Sequence, residues 1–169
     1  MVTIKSTNLY TDYALKSFFK NTQLNDNDDF FLIDNDGCET EKFSAYGKIK
    51  IIKNNNPLNF AENVNQIIDI AIKNKKNLIF LTNDLVFTED WIKPVLLNSS
   101  CISIPSNNQI FQYQSNCENL KLKMTMDFND FNENYDLLND IVKKHKKRFN
   151  SNQKFQTLLM PFSCFKIPY

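Results

Sequence analysis

Two short apolar runs in this chain break off on carboxylates and amides. Phe30 to Ile33 runs straight into Asp34-Asn35-Asp36-Gly37, and Leu78 to Leu81 stops at Thr82-Asn83-Asp84. Four apolar residues between polar stretches suit a short buried strand. A strand that delivers a carboxylate and an amide at its C-terminal edge puts them where open α/β sheets hold their ligands. Asp84 is on that ground the first candidate for chemistry. Lys75 and Lys76 precede its strand, and Thr88 is expected to start a helix with Glu89 and Asp90 in the first turn, running on to about Leu97.

The rest of the first half repeats the pattern. Val2 to Lys5 reads as a first strand, and Thr11 or Asp12 can cap a helix with Tyr10, Tyr13, Ala14, Ser17 and Phe18 on its apolar face. The polar stretch Asn21 to Asp29 ends that helix. Lys48 to Lys53 reads as a third strand, and Phe60, Val64, Ile67, Ile68 and Ala71 mark one face of the helix that follows. No hairpin signal such as Asn-Gly joins these strands, so they predict an α/β fold of right-handed βαβ units, Rossmann-like, with a mostly parallel central sheet flanked by helices. Cys101 to Ile104 suits a fifth strand. Beyond Pro105 the pattern is less regular: Leu120, Leu122, Met124 and Met126 alternate like a half-buried strand. Tyr135, Leu138, Ile141, Val142 and His145 suit an amphipathic helix, and Met160 to Ile167 a last strand. A chain of 169 residues fits one domain, with residues 1–104 as a regular half and 105–169 as an irregular one.

Composition removes several function classes. With 42% hydrophobic and 23% charged residues and a formal net charge of +1, the chain has no field that would select nucleic acid. Its only glycines, Gly37 and Gly47, exclude glycine-rich phosphate loops. Cys38, Cys101, Cys117 and Cys164 show no C-x-x-C spacing, which argues against zinc and for reduced thiols in the cytoplasm, with pairing of two of them left open. No apolar run approaches the roughly 20 residues of a membrane span. The abundance of Asn, Lys, Ile and Phe suits an AT-rich genome, so asparagine clusters such as Asn54-Asn55-Asn56 are discounted as sites. The basic run Lys143 to Arg148 suits a solvated helix C-terminus, the alternative being peripheral contact with anionic lipid headgroups. His145 within it has no catalytic partner. Phe87 and Trp91 are expected in the core.

In order and spacing, the segments K-S-F-F, F-F-L-I-D-N-D-G, I-I-K-N-N-N-P-L-N-F-A-E-N-V-N-Q-I and L-I-F-L-T-N-D-L-V-F-T-E-D-W resemble glycosyltransferase family 2. These are GT-A fold enzymes that move a sugar from a nucleotide-diphosphate sugar to an acceptor. The resemblance spans roughly Val2 to Ile104. It implies that Asp84, assisted by Asn83, holds Mn²⁺ or Mg²⁺ and that Asp34 accepts a hydrogen bond from the nucleobase. It also implies that Ser6, Thr7 and Asn8 line the nucleotide crevice and that Asn65 approaches the nucleotide from its helix. The acceptor would be a glycan, a lipid-linked group or a protein, and the transfer would invert the anomeric centre.

Two departures matter. Leu58 or Asn59 stands near the glycine usual in the third segment, and Thr82-Asn83-Asp84 lacks the first carboxylate of a strict D-x-D. The family's catalytic base lies beyond the strand that Phe162 to Ile167 resembles, where this sequence ends, so a truncated or short catalytic domain is expected and no catalytic residue is assigned. Asp127, Asp130, Asp136 and Asp140 are acidic, but their spacing selects none as a base. Two alternatives stay open. One is a non-catalytic nucleotide-sugar-binding or interaction module of the same fold. The other follows from the resemblance of D-N-D-G at Asp34 to Gly37 to the D-x-D-G motif of haloacid-dehalogenase-like phosphatases, which would make Asp34 the nucleophile and Asp36 the general acid.

Overall fold

A computed structural model describes residues 1–38, 40–97, 101–103, 133–148 and 164–169, with side chains for all of these except 94, 101–103 and 145–148. The chain divides into two compact units, Met1–Ser103 with Ser163–Tyr169, and Ile104–Phe162. The first unit contains both sheets. Strands β1 (Val2–Thr3), β2 (Phe30–Asp34) and β3 (Ile49–Lys53) form a parallel sheet in the order β1-β2-β3. Helix α1 (Asn8–Asn21), preceded by a 3₁₀ turn at Lys5–Thr7, links β1 to β2, and the short helix α2 (Thr40–Ser44) lies between β2 and β3. Parallel neighbours need such crossovers, and the missing hairpin signals foretold them.

After β3 come α3 (Phe60–Lys73), β4 (Leu78–Leu81), α4 (Lys93–Leu97) and β5 (Cys101–Ser103). The last strand, β6 (Cys164–Ile167), runs antiparallel to both β4 and β5 and sits between them. The second sheet is therefore antiparallel at both of its pairings, where a mostly parallel arrangement was expected. In the second unit the described helix is α5 (Tyr135–Arg148), with Leu138 buried. The basic run from Lys143 occupies its C-terminal part, where the helix dipole favours cations. The proposed strand at Leu120 to Met126, Cys117, Asp127 and Asp130 lie outside the described residues.

Residue chemistry explains the elements and two corrections. Leu32 and Ile33 of β2 are fully buried, as the middle strand of a parallel sheet requires. Asn59 caps α3 reciprocally: its Oδ1 accepts from the Glu62 N–H at 3.0 Å while Glu62 Oε2 accepts from the Asn59 N–H at 2.8 Å. Helix α1 begins at Asn8, so Thr11 lies inside it rather than at its cap, and Tyr10 is exposed. Its buried face is Thr11, Ala14, Leu15, Ser17 and Phe18. The helix expected from Thr88 starts only at Lys93, because Asp90 takes a left-handed φ of 62° that α-helical geometry cannot include.

The core of this unit joins Leu15 and Phe18 of α1 to Phe30 and Leu32 of β2, Leu81 of β4 and Phe87 and Val95 beyond it. Phe18 packs edge-on against Phe30 at 4.7 Å and Phe87 at 5.3 Å between ring centroids, and Trp91 lies 4.6 Å from Phe87. The expectation of a core position holds for Phe87, which is buried, whereas Trp91 is half-buried and packs against the core. The Trp91 indole N–H also donates to Thr22 Oγ1 at 2.7 Å, tying the turn after β4 to the end of α1.

Candidate functional site

The parallel register puts Thr3, Asp34 and Lys53 in one row across the C-terminal edge of the first sheet. Every residue assigned from sequence lies at or near such an edge except Asn65. Three groups of contacts shape the region.

At the β1 and β4 ends, hydroxyls and one amide interlock. Asn83, just past β4, donates from Nδ2 to Thr7 Oγ1 and to Thr11 Oγ1, both at 2.9 Å. Thr11 Oγ1 lies 2.7 Å from Thr3 Oγ1 and donates to the Thr7 carbonyl at 3.2 Å. Thr3 and Thr11 are buried, whereas Thr7 and Asn83 are partly exposed. Asp84, next along, is exposed, and its Oδ1 accepts from Thr82 Oγ1 at 2.5 Å. Ser6 is exposed and Asn8 half-buried on the turn opposite. Thr7 and Asn83 thus touch, and Asp84 follows Asn83 in the chain.

At the β2 end, Asp34 is fully buried, and its Oδ2 accepts from Thr40 Oγ1 at 2.5 Å. The following loop folds back over the β1 turn, with Asp36 Oδ2 accepting from the Lys5 backbone N–H at 2.9 Å. That bond and a weaker one from the Cys38 N–H hold the Asp36 carboxyl below its ordinary value, against the opposing effect of partial burial. Gly37 turns the loop with φ of 67°, and a Cβ there would lie 3.1 Å from the Asn54 carbonyl oxygen.

The β3 end carries an amide cluster that sequence reasoning passed over. Asn54 Nδ2 donates to Asn35 Oδ1 at 2.9 Å and to Asn63 Oδ1 at 3.1 Å. Asn35 pairs in both directions with the Leu58 backbone, its Nδ2 donating to the carbonyl and its Oδ1 accepting from the N–H, each at 2.9 Å. Asn63 Nδ2 donates to the carbonyls of Leu58 and Asn59. All three asparagines are buried. Asn65 is exposed instead, two residues along α3 and on another face. Asn54, discounted as a site, is a buried structural group in this cluster. The signal for Asn63 was available: it lies four residues before Ile67, the other buried residue of α3, and so on the same face.

Among the described residues there is no group of three or more His, Cys, Asp or Glu side chains able to hold a metal, and no helix long and apolar enough to cross a membrane. Cys38 is exposed, its Sγ donating to the Asp36 carbonyl at 3.4 Å, and Cys164 is buried. What the edge offers is oxygen acceptors at Asp84, hydroxyls on the first turn of α1, and a buried carboxylate roofed by Thr40. Comparison of the chain with protein-family models, with curated proteins and with solved structures gives no match.

Proposed function

We propose that this edge binds a nucleotide-diphosphate sugar with Mn²⁺ or Mg²⁺, as a GT-A-like domain of glycosyltransferase family 2 type, and serves sugar transfer to a glycan, lipid-linked or protein acceptor in the cytoplasm. The observation that carries the reading is the Asn83 contact with Thr7 and Thr11, which brings an exposed carboxylate, Asp84, beside the loop between β1 and α1. In open α/β sheets, ligands lie outside the carboxyl ends of the strands, and this is such a place.

The donor set suits a cation that arrives with its substrate. Mg²⁺ and Mn²⁺ take oxygen ligands and often use one or two carboxylates, with phosphate oxygens and water supplying the rest. Asp84 would hold it, and the metal would neutralise charge developing on the diphosphate leaving group. Asp34 fits the nucleobase role on one condition: an N–H of the base must take the place of the Thr40 hydroxyl. Asp34 has no exposed surface, so this role and the phosphatase nucleophile alike require Thr40 to move aside, and the burial does not separate them.

The test is calorimetric titration of UDP, GDP and dTDP with and without Mn²⁺. The reading expects one of them to bind, with affinity raised by the metal; a folded sample that binds none of them refutes it. Incubation with nucleotide sugars then separates a transferase from a non-catalytic module, since even slow release of free sugar requires catalysis.

A further inference from the structure

The Asn83 side chain can be oriented by counting protons. Its Nδ2 faces the hydroxyls of Thr7 and Thr11. With the amide turned over, its oxygen would need the proton of each hydroxyl, and both are engaged elsewhere: Thr7 Oγ1 donates to the Ile4 carbonyl and Thr11 Oγ1 to the Thr7 carbonyl, each at 3.2 Å. A hydroxyl has one proton and two lone pairs. Having given its proton to Thr7, Thr11 accepts from Thr3 at 2.7 Å as well as from Asn83, and its bonding capacity is filled. The amide N–H₂ is therefore fixed against α1, and the oxygen of the same planar group is turned away from both hydroxyls.

Thr11 is fully buried, so it touches no ligand. Nor is it there to strengthen the helix, since a threonine bonded back to the carbonyl four residues earlier slightly weakens one. We propose that Thr11 is a positioning residue for the metal corner. Acting through Asn83, it holds the loop after β4 so that Asn83 Oδ1 and the Asp84 carboxylate are presented together as oxygen acceptors to a divalent cation carried by a diphosphate. The inference rests on the nucleotide-sugar reading above and extends it to a buried residue one shell behind the ligands.

The experiment titrates UDP, GDP and dTDP into wild type, Thr11→Val and Thr11→Ser, each with and without Mn²⁺, and reads the gain in affinity the metal confers. Outer-shell groups behind metal ligands are typically worth 10- to 100-fold in metal affinity, so Thr11→Val should cut the Mn²⁺-dependent gain about tenfold or more and leave the metal-free affinity within about twofold. Thr11→Ser, which keeps the hydroxyl, should restore the gain. A folded Thr11→Val protein with an undiminished gain overturns the positioning role while leaving the nucleotide reading intact, and a wild type that binds no nucleotide overturns both. Should Thr11→Val not unfold cooperatively, Thr11→Ala, which removes the same hydroxyl with the best helix former, decides in the same way. A metal-specific loss supports the role and an unchanged metal gain refutes it.

Discussion

Two corners, one at the end of β3 in the first sheet and one at the end of β4 in the second, are built around asparagines, yet they end differently. Around Asn54 the amides of Asn35, Asn54 and Asn63 bond to one another and to the backbone at Leu58 and Asn59, inside the protein. Around Asn83 the amide nitrogen is tied to two threonine hydroxyls, but the next residue, Asp84, is exposed. The first corner consumes its polar groups to hold a loop. The second consumes one edge of an amide and leaves a carboxylate facing outward. A polar cluster whose groups satisfy each other is scaffold, and one that stops short of satisfaction at the surface is the better candidate for a ligand.

The largest break in this contrast should come from Asn54→Ala. It takes one of two donors from Asn35 Oδ1 and leaves Asn63 Oδ1 and Gln66 Nε2 without the partner Asn54 gives them, and such losses cost about 2–4 kcal/mol in total. Urea unfolding should show that loss whether or not a nucleotide is present. Gly37→Ala should cost less, about 1–2 kcal/mol, because a left-handed residue gains a Cβ close to the Asn54 carbonyl. Thermal unfolding would read it. A Gly37→Ala protein as stable as wild type would mean that the loop over Asp34 is not held as described.

A smaller effect belongs to the opposite edge of the sheet and serves as a control. Hydrogen bonds from Lys50 and then Lys76 hold the Asp29 carboxyl below its ordinary value. A depressed carboxylate contributes stability that is complete above the unfolded value of about 4 and is lost as pH falls through the lower native one. Solvent screens these charges, so the contribution stays below about 1 kcal/mol. Asp29→Asn should therefore lower the urea midpoint slightly near neutrality, and the gap from wild type should close in acid. Nucleotide affinity should not change. Smallest in stability is Asp84→Asn, within about 0.5 kcal/mol of wild type as an exposed substitution, although it should abolish the Mn²⁺-dependent gain in nucleotide affinity.

The contrast also marks what the sequence could tell. Apolar runs placed β2, β4 and the residues at their ends, because a buried strand is a local pattern with a fixed period. They did not reveal that β6 returns antiparallel between β4 and β5, since that pairing joins residues far apart in the chain. Asn63 and Thr11 were legible in principle from helical spacing, each lying on the stripe its helix buries. Thr40 was not, because nothing local links it to a carboxylate six residues earlier. Nor could composition separate Asn54 from its exposed neighbours Asn55 and Asn56: burial, which sequence identity alone does not carry, makes the difference.

The central claim is that Asp84 meets a metal-bound diphosphate beside the first turn of α1. A crystal structure with Mn²⁺ and whichever of UDP, GDP or dTDP binds tests it directly, using the anomalous signal of the metal. The account predicts manganese at about 2.0–2.3 Å from an Asp84 carboxylate oxygen, within the range for oxygen ligands of such cations, with the diphosphate bridging toward Thr7. Manganese and nucleotide bound elsewhere, with Asp84 touching neither, would contradict it.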